Sequence, residues 1–356
     1  MDELEKIDIL SLTPDELKNE IVGMGDKAFR AKQIYEWLHV KKITEFAQMS
    51  NISAQFRDEL SKKFCIKHLN IKKKLVSNID NTVKYLYGLP DGEAVETVLM
   101  EYKHGNSLCI STQVGCRMGC RFCASTIAGF VRHLLPSEML LQVYETERDS
   151  GRHVDSIVLM GIGEPLDNYD NVLKFLSLIN SGGDGMSLRH ISLSTCGVVN
   201  RIYDLAELKT GLTLSISLHA ATNERRSEIM PINKKFHLEE LMEACRYYFA
   251  KTGRRISFEY SLIEGVNDTE QSAQELIDLL GGMNCHVNLI PINEIRERDF
   301  RKSRSVERFR KRLCDAGLNA TVRRTLGSDI NAACGQLRRD GGMNGSPEEK
   351  TTGGEL

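Results

Sequence analysis

The stretch that decides the fold is Gly115-Cys116-Arg117-Met118-Gly119-Cys120-Arg121-Phe122-Cys123, in which three cysteines follow the spacing C-x3-C-x2-C. It comes directly after residues 108–111, an apolar segment that we predict to be a strand. Iron–sulfur clusters are held by cysteine thiolates, usually four for each cluster. Three thiolates at this spacing can wrap around one small cluster and leave one iron open. Cys116, Cys120 and Cys123 are therefore candidate cluster ligands.

The same three cysteines have two other interpretations. A structural zinc site normally takes four protein ligands arranged in pairs, and the sequence has no second pair at such a spacing. Three unrelated buried cysteines are the remaining alternative. The position of the triplet directly after a strand favours the cluster over both.

Composition sets the class of protein. The chain has 356 residues, of which 41% are hydrophobic, enough for one large domain and a smaller one. The net charge of −2 neither favours nor excludes a nucleic-acid partner. No apolar run reaches about 18 residues, and the first ten residues include four acidic side chains, so we expect neither a membrane span nor a signal peptide. In the cytosolic protein that we therefore expect, ten cysteines are better suited to metal binding or catalysis than to disulfides.

The N-terminal region, residues 1–71, is predicted to be helical. Thr13-Pro14-Asp15-Glu16 is a capping box with proline at the first helical position. A second helix is indicated by four apolar side chains that share one face, namely Ala31, Ile34, Tyr35 and Leu38. Ser53 is a candidate cap for a third helix.

Three further regions follow. Residues 72–105 predict two strands around the turn Pro90-Asp91-Gly92, a hairpin extension. Residues 106–338 alternate strand and helix patterns. Residues 339–356 are rich in Gly, Ser, Thr and Glu, and we expect this tail to be disordered because it cannot bury a core.

The alternating region predicts an α/β fold, a partial (β/α)6 barrel that follows the small helical domain. Unbroken apolar runs such as Ile157-Val158-Leu159-Met160 are typical of parallel strands covered on both faces. In such barrels the chemistry lies at the carboxyl ends of the strands. The strand candidates are residues 108–111, 156–160, 190–194, 213–218, 256–262, 287–291 and 321–324.

Polar residues follow several of these strands and form a candidate ligand pocket. A tight loop and ordinary polar strand ends are the alternative interpretation of each one alone, but a barrel brings them all to one face. They are Gly163 and Glu164 after the second strand, Ser194 at the end of the third, Ser217, Leu218 and His219 at the end of the fourth, and Asn293 after the sixth.

Two cysteines outside the triplet also lie near strand ends. Cys109 is on the first barrel strand, and Cys334 follows the last strand. An isolated cysteine is usually a small buried apolar residue, which is our interpretation of Cys65, Cys245, Cys285 and Cys314. Cys196, close to Ser194, has no assigned role.

The cysteine spacing at the end of the first barrel strand resembles the signature of radical S-adenosylmethionine (SAM) enzymes. The resemblance implies a [4Fe-4S] cluster on Cys116, Cys120 and Cys123, with the amino and carboxylate groups of SAM on the open iron. It also implies that reductive cleavage of SAM gives a 5′-deoxyadenosyl radical. Gly161-Ile162-Gly163-Glu164 resembles the family element that meets the SAM amino group.

Within that superfamily the chain resembles the RlmN-type adenine C2-methyltransferases of 23S rRNA and tRNA, from about residue 8 to about residue 338. The matching segments are residues 29–37, 95–98, 109–124, 160–166, 217–220 and 327–337. The strand-end residues Ser194, Ser217, Leu218, His219 and Asn293 match SAM-contacting positions of that family.

The resemblance implies a role for three further residues. Cys334 is the methyl carrier, Cys109 is the thiol that resolves a covalent RNA–enzyme intermediate through a transient disulfide, and Glu96 accepts a proton. Two SAM molecules are consumed in each turnover. The implied targets are adenine 2503 of 23S rRNA and adenine 37 of tRNAs. Adenine C2 is electrophilic, so ordinary attack on the SAM methyl group does not work there, and a radical route does.

Three departures from the family pattern are small: Ile162 replaces a common methionine, Cys196 a common serine and Asn200 a common proline. One rival is the related Cfr-type family, which methylates adenine C8 with the same cysteines. Another is a non-catalytic, zinc-stabilised RNA-binding protein.

Basic segments are candidate RNA contacts. Residues 296–312 hold nine Lys or Arg and three Asp or Glu, a local net charge of +6, and Lys72-Lys73-Lys74 and Arg323-Arg324 add two patches. A solvated helix face is the alternative. The target base must be flipped or already unstacked to reach a barrel mouth. The expected partners are 23S rRNA, tRNA and a low-potential electron donor such as flavodoxin or ferredoxin, and we expect a monomer without membrane contact.

Overall fold

The computed structural model describes residues 6–182, 185–295 and 297–338. The tail predicted at residues 339–356 lies outside these ranges. Within them, no helix is long and apolar enough to cross a membrane.

The N-terminal region contains the three predicted helices and a short parallel strand pair. The side chain of Thr13 accepts a hydrogen bond from the Glu16 backbone, and Glu16 accepts one from the Thr13 backbone, so the predicted capping box is confirmed. Ser53 caps the third helix, as predicted. The elements are β1 (Ile7–Asp8), α1 (Pro14–Gly23), α2 (Ala28–His39), α3 (Ala54–Lys63) and β2 (Phe64–Cys65).

An antiparallel ribbon comes next, formed by β3 (Asn70–Val76), β4 (Val83–Gly88) and β5 (Ala94–Tyr102). The boundaries predicted at residues 71/72 and 105/106 both cut strands, the first inside β3. The lysine-rich sequence of β3 hides its strand character, because charged side chains are typical of an exposed sheet edge. The ribbon is continuous with the barrel sheet rather than a separate extension, since β5 pairs with the first barrel strand, β6 (Gly105–Cys109).

The remainder is the predicted partial barrel. The strand predicted at residues 256–262 has the same bounds in the structure. Each of the other six predicted strands begins and ends within three residues of its observed counterpart. The elements after β6 are β7 (Gln113–Val114), β8 (Arg132–His133), α4 (Pro136–Ser150), β9 (Ser156–Leu159), α5 (Tyr169–Ser181), β10 (Ile191–Thr195), α6 (Val199–Glu207), β11 (Thr213–Ser217), α7 (Asn223–Ile229), α8 (Leu238–Thr252), β12 (Ile256–Leu262), α9 (Glu270–Leu280), β13 (Cys285–Pro291), α10 (Val306–Asp315) and β14 (Ala320–Val322).

Strand pairing explains where a site can form. In the described residues one ten-stranded sheet has the order β14-β13-β12-β11-β10-β9-β6-β5-β4-β3. Within this sheet β6, β9, β10, β11, β12, β13 and β14 pair with one another in parallel, whereas β6 pairs antiparallel with β5 on its other side. Six of them form the predicted (β/α)6 unit, and the short β14 adds a seventh. Their carboxyl ends therefore meet at one mouth of the barrel.

His39 links the N-terminal helices to the barrel. It ends α2, has no exposed surface, and its Nδ1 lies 3.1 Å from the Tyr144 hydroxyl of α4. Its Nε2 is buried without a partner. Burial lowers the pKa of His39 to about 4, because the charged imidazolium loses its hydration.

This burial predicts an acid sensitivity. Between the ordinary pKa of 6.5 and the lowered value, the unfolded chain binds a proton that the folded chain excludes, so stability falls as the pH drops through this window. At pH 5 this linkage lowers the free energy of unfolding by about 2 kcal/mol. Chemical denaturation of wild type and His39→Gln at pH 7 and pH 5 should show a smaller loss for the variant. Parallel pH profiles would contradict this assignment.

Candidate active site

A cavity of about 930 Å³ opens at the carboxyl ends of the parallel strands. The barrel brings together residues that are far apart in sequence, since the lining extends from the loop after β6 to the segment after β14. Ten predicted site residues line it: Cys116, Cys120, Cys123, Gly163, Glu164, Ser194, Ser217, His219, Asn293 and Cys334.

The loop that carries the cysteine triplet is held by tight backbone geometry. Gly115 has φ of +72°, and a Cβ there would lie 1.7 Å from the Gly129 carbonyl oxygen, so only glycine fits. The Thr126 hydroxyl donates to the carbonyls of Cys120 and Cys123 at 3.2 and 2.9 Å. The loop is therefore shaped before any ligand binds.

Burial determines the state of these thiols. It raises the pKa of Cys116 to about 12 and also raises the pKa of Cys120 and Cys123, and the neighbouring sulfurs add to the shift for Cys116 and Cys120. Buried thiols become thiolates when a bound metal compensates their charge. Three thiols on one preformed loop at a cavity fit a cluster in this way.

A single metal ion fits less well. In residues 6–182, 185–295 and 297–338, no three His, Cys, Asp or Glu side chains converge closely enough to hold one ion. A cubane is wider than one ion, so its thiolates stand further apart. The structural zinc interpretation lacks its ligand set here.

The loop after β9 is a cradle that requires glycine. A Cβ on Gly161 would lie 2.6 Å from the Ile110 carbonyl oxygen, and one on Gly163 (φ +110°) would lie 2.6 Å from the Gln113 Cβ. The buried carboxylate of Glu164 accepts hydrogen bonds from the backbone N–H groups of Leu166 and Cys196 at 3.0 and 2.8 Å. Burial raises the pKa of Glu164 despite these bonds. A carboxylate so placed suits an ammonium group in the cavity.

Two of the serines and a histidine complete the wall. The hydroxyls of Ser194 and Ser217 lie 3.5 Å apart. His219 adopts φ of +58°, and its Nδ1 accepts a hydrogen bond of 2.9 Å from the Ser261 backbone, so the neutral ring carries its proton on Nε2. Burial lowers the pKa of His219 to about 3, and the Arg226 charge acts in the same direction. The ring is therefore a neutral donor.

Leu218 is the predicted strand-end residue that does not line the cavity. Its side chain is fully buried in the hydrophobic core and does not line the cavity. Successive side chains in an extended chain point to opposite faces, which separates Leu218 from Ser217 and His219. Only its backbone meets the polar network, where its carbonyl accepts from Arg226 at 3.2 Å.

Cys334 lies between two cavities. It lines the main cavity and a second one of about 530 Å³, which Cys109 also lines. The Asn293 side-chain amide donates to the Cys334 carbonyl at 3.0 Å, and the Ala124 backbone donates to the Gly335 carbonyl at 2.8 Å. Burial raises the pKa of Cys109 to about 12. All ten cysteines are free thiols, so the disulfide implied by the resemblance is not present in this structure.

Glu96 lies outside both cavities. Its buried carboxylate on β5 pairs with Lys84 at 2.9 Å and accepts a hydrogen bond of 2.6 Å from the Arg338 backbone. Lys84 also donates to the Asn331 carbonyl at 3.1 Å. Glu96 and Lys84 thus hold both ends of residues 331–338, the segment that carries Cys334.

Arg323 is a site residue that the sequence assigned to a surface patch. Its side chain is 18% exposed, lies 3.7 Å from Glu259 and 3.3 Å from the Met160 sulfur, and lines both cavities. Its closeness to Cys334 is the main cause that raises the pKa of Arg323. Its position directly after the last barrel strand could have indicated, from the sequence, that Arg323 lies at the barrel mouth.

Comparisons with known proteins agree with this geometry. Residues 7–66 match the family described as ribosomal RNA large subunit methyltransferase N-terminal domain, and residues 110–280 match the radical SAM superfamily. A probable dual-specificity RNA methyltransferase RlmN of Lachnoclostridium phytofermentans is 53% identical over 338 residues, which are 94% of this chain and 95% of that protein. One of the same name from Clostridium novyi is 52% identical over 93% of this chain and 98% of its own length.

This chain belongs to the RlmN family of radical SAM RNA methyltransferases. A solved structure of a radical SAM methyltransferase from Sphaerobacter thermophilus superposes with a TM-score of 0.89 at 37% identity, covering 93% of this chain and 99% of that one. Membership in the RlmN family implies a [4Fe-4S] cluster and SAM. The thiols of the triplet would hold the cluster, and the cradle at Gly161 and Gly163, with Glu164, would receive SAM.

The cluster assignment predicts which cysteines iron needs. After anaerobic reconstitution, wild type should hold about four irons per chain, and Cys120→Ala should lose most of them because two thiolates cannot retain the cluster. Cys285→Ala, a buried cysteine on β13, is the matched control and should keep its iron. Iron and sulfide assays measure both. Equal iron in the two variants would contradict the assignment.

Proposed function

We propose that this chain methylates C2 of adenine, at adenine 2503 of 23S rRNA and at adenine 37 of tRNAs, through a methylated Cys334 and a covalent RNA–enzyme intermediate. The observation that carries the proposal is the position of Cys334, which lines both the cluster cavity and the cavity of Cys109. One thiol can thus meet the cofactor on one side and a resolving thiol on the other.

Cys334 is the carbon carrier. Its thiolate receives a methyl group from one SAM molecule, and a second SAM is consumed in the radical step. When bound, the cluster and SAM supply reductive cleavage, which yields a radical able to take hydrogen from the S-methyl group. The S-methylene group of Cys334 then bonds to C2 of the adenine, and the unpaired electron left on the ring would pass to the oxidised cluster, so that a closed-shell S–CH2 link results. The thiolate form of Cys334 is the nucleophile, and the Arg323 cation lines the same two cavities.

Cys109 releases the product. Its thiolate attacks the Cys334 sulfur, the S–C bond to the RNA breaks, and the electron pair goes to the carbon, which takes a proton to complete the methyl group. The new S–S bond must be reduced by a thiol reductant before the next turnover. Because burial raises the pKa of Cys109, this step needs a base or a more polar environment once RNA is bound.

Glu96 accepts the C2 proton in this scheme. Its contact with the Arg338 backbone ties it to the segment that carries Cys334, which supports the assignment. Its carboxylate lies outside the cavity in this structure, so the proton transfer requires a shift of that segment on RNA binding or a relay through water.

The RNA must present its base at the barrel mouth, flipped or unstacked. Exposed cations on β3 and α10 can contact phosphates, although some already have acidic neighbours: Lys74 pairs with Asp149, and Lys311 with Asp315. Such contacts predict binding that weakens with salt. We place the reaction in the cytoplasm with its RNA substrates, with flavodoxin or ferredoxin as electron donor and the chain acting as a monomer.

Cys334→Ala should abolish methylation of 23S rRNA and tRNA and still cleave SAM, because the cluster and the SAM pocket remain. Cys314→Ala, an exposed cysteine on α10, is the control and should methylate normally. Mass spectrometry of the RNA, with assignment of the methylated carbon, measures the outcome. Methylation at C8 would contradict the C2 assignment, and methylation by Cys334→Ala would contradict the carrier role.

Cys109→Ala should stop after the covalent step and accumulate an RNA–protein adduct, because no thiol remains to attack the Cys334 sulfur. A denaturing gel with labelled RNA detects the adduct as a slow band that nuclease removes. The double variant Cys109→Ala with Cys334→Ala should form none. Normal turnover by Cys109→Ala would show that another group resolves the intermediate.

A further inference from the structure

Arg226 is a fully buried side chain whose contacts are all neutral. It lies on α7, directly after the fourth barrel strand, and none of its surface is exposed. Its guanidinium donates to the carbonyls of Leu218, Cys196 and Ser217 at 3.2, 2.6 and 3.3 Å, and to the side-chain oxygen of Asn233 at 3.0 Å. These contacts satisfy its hydrogen bonds and leave its charge uncompensated.

No Asp or Glu in the described ranges forms an ion pair with Arg226. Other arginines with little exposure do have such partners: Arg132 pairs with Glu138 at 2.8 Å, and Arg323 lies 3.7 Å from Glu259. A buried charge without a counter-charge is strongly unfavourable, and burial lowers the pKa of Arg226. The surroundings of Arg226 therefore lack an anion.

The position of Arg226 indicates where that anion binds. Its strongest contact is to the carbonyl of Cys196, and the Cys196 side chain packs in one apolar cluster with Cys120, Ile229 and Met230. The Ile229 carbonyl accepts a hydrogen bond of 2.9 Å from the backbone of Arg121 in the triplet loop.

Arg226 does not line the cavity. Side chains and backbone separate its guanidinium from any molecule bound there, so it acts through its electric field rather than by contact with SAM. The group expected beside Cys120 is the cluster. Three thiolates give that cluster a net negative charge, and reduction adds one electron to it.

We propose that Arg226 is the counter-charge of the cluster and raises its reduction potential, a positioning residue that acts through its field on the electron-uptake step. This rests on the cluster assignment made under the proposed function. A fixed cation in a medium of low dielectric constant stabilises the reduced, more negative cluster more than the oxidised one. The electron comes from an external low-potential donor.

The test is the midpoint potential of the reconstituted enzyme, measured without SAM or RNA by a redox titration followed by electron paramagnetic resonance. Arg226→Gln removes the charge and keeps hydrogen-bonding capacity, so the ratio of reduced to oxidised cluster at a fixed potential should fall at least tenfold. That corresponds to about 59 mV for one electron. Arg226→Lys keeps the charge and should stay close to wild type.

A second variant tests the charge without changing Arg226. Asn233→Asp places a carboxylate on the guanidinium and should lower the potential in the same direction, and Asn233→Ala, which removes the amide without adding charge, is its control. Iron content confirms that each variant is loaded. If Arg226→Gln does not hold the cluster, the difference in midpoint potential between Asn233→Asp and Asn233→Ala tests the proposal instead.

Equal potentials for Arg226→Gln and Arg226→Lys, or for the two Asn233 variants, would overturn the proposal. So would a change confined to SAM affinity. Because the titration needs neither RNA nor SAM, it is independent of the RNA substrate: a loaded wild-type enzyme that fails to methylate RNA would refute the proposed function and leave the effect of Arg226 measurable.

Discussion

The parallel hydrogen-bonded pairing of β6 with β9 through β13 is the constraint on which the site depends. It sets the carboxyl ends of six strands at one mouth, so each strand contributes one or two side chains to the same cavity. The first strand leads into the triplet loop and the second into the glycine cradle. Ser194 and Ser217 lie at the carboxyl ends of β10 and β11, and Asn293 follows β13. A shift of one residue in any register would turn those side chains away from the cavity.

Electrostatics inside that mouth are dominated by burial rather than by ion pairs. Burial raises the pKa of the triplet thiols and of Glu164 and lowers that of His219, so it favours the neutral form of each of these groups. A cluster would reverse this balance for the thiols, because its iron compensates the thiolates. The proposed role of Arg226 is the counterpart for a buried cation: its positive charge is balanced when the site carries the negative charge of the cluster.

Most of the fold could be predicted from the sequence because the barrel repeats one local pattern, and all seven predicted parallel strands exist within three residues of their expected bounds. The edge strand β3 could not be predicted in the same way, because Asn70-Ile71-Lys72-Lys73-Lys74 has the polarity of a loop. This segment becomes a strand by pairing with β4. The structure places Leu218, predicted as a SAM contact, in the core, and Arg323, predicted in a basic surface patch, at the cavity. Alternation turns Leu218 into the core, and the end of β14 directs Arg323 toward Cys334 rather than solvent. Arg226 gave no signal, because an arginine in a polar helical segment normally faces water.

The segment after β14 is held differently from the rest of the site. It is hydrogen-bonded to neighbours on three sides. In the turn before β4, the Ser77 hydroxyl donates to the Asp329 carboxylate at 2.7 Å, and Asp80 accepts from the Gly327 N–H at 2.9 Å. The triplet loop contacts it through the Ala124 N–H, and β5 through the Glu96 carboxylate. Between β14 and residue 338 the segment itself forms only the short 3-10 turn Ser328–Ile330, and neither a long helix nor a sheet strand. Individual hydrogen bonds contribute about 1 kcal/mol each, so such a segment can rearrange one contact at a time while its anchors hold. In the proposed function Cys334 meets a cofactor, a base and Cys109 in succession, and a carrier held by separable contacts suits that sequence better than one built into a rigid strand.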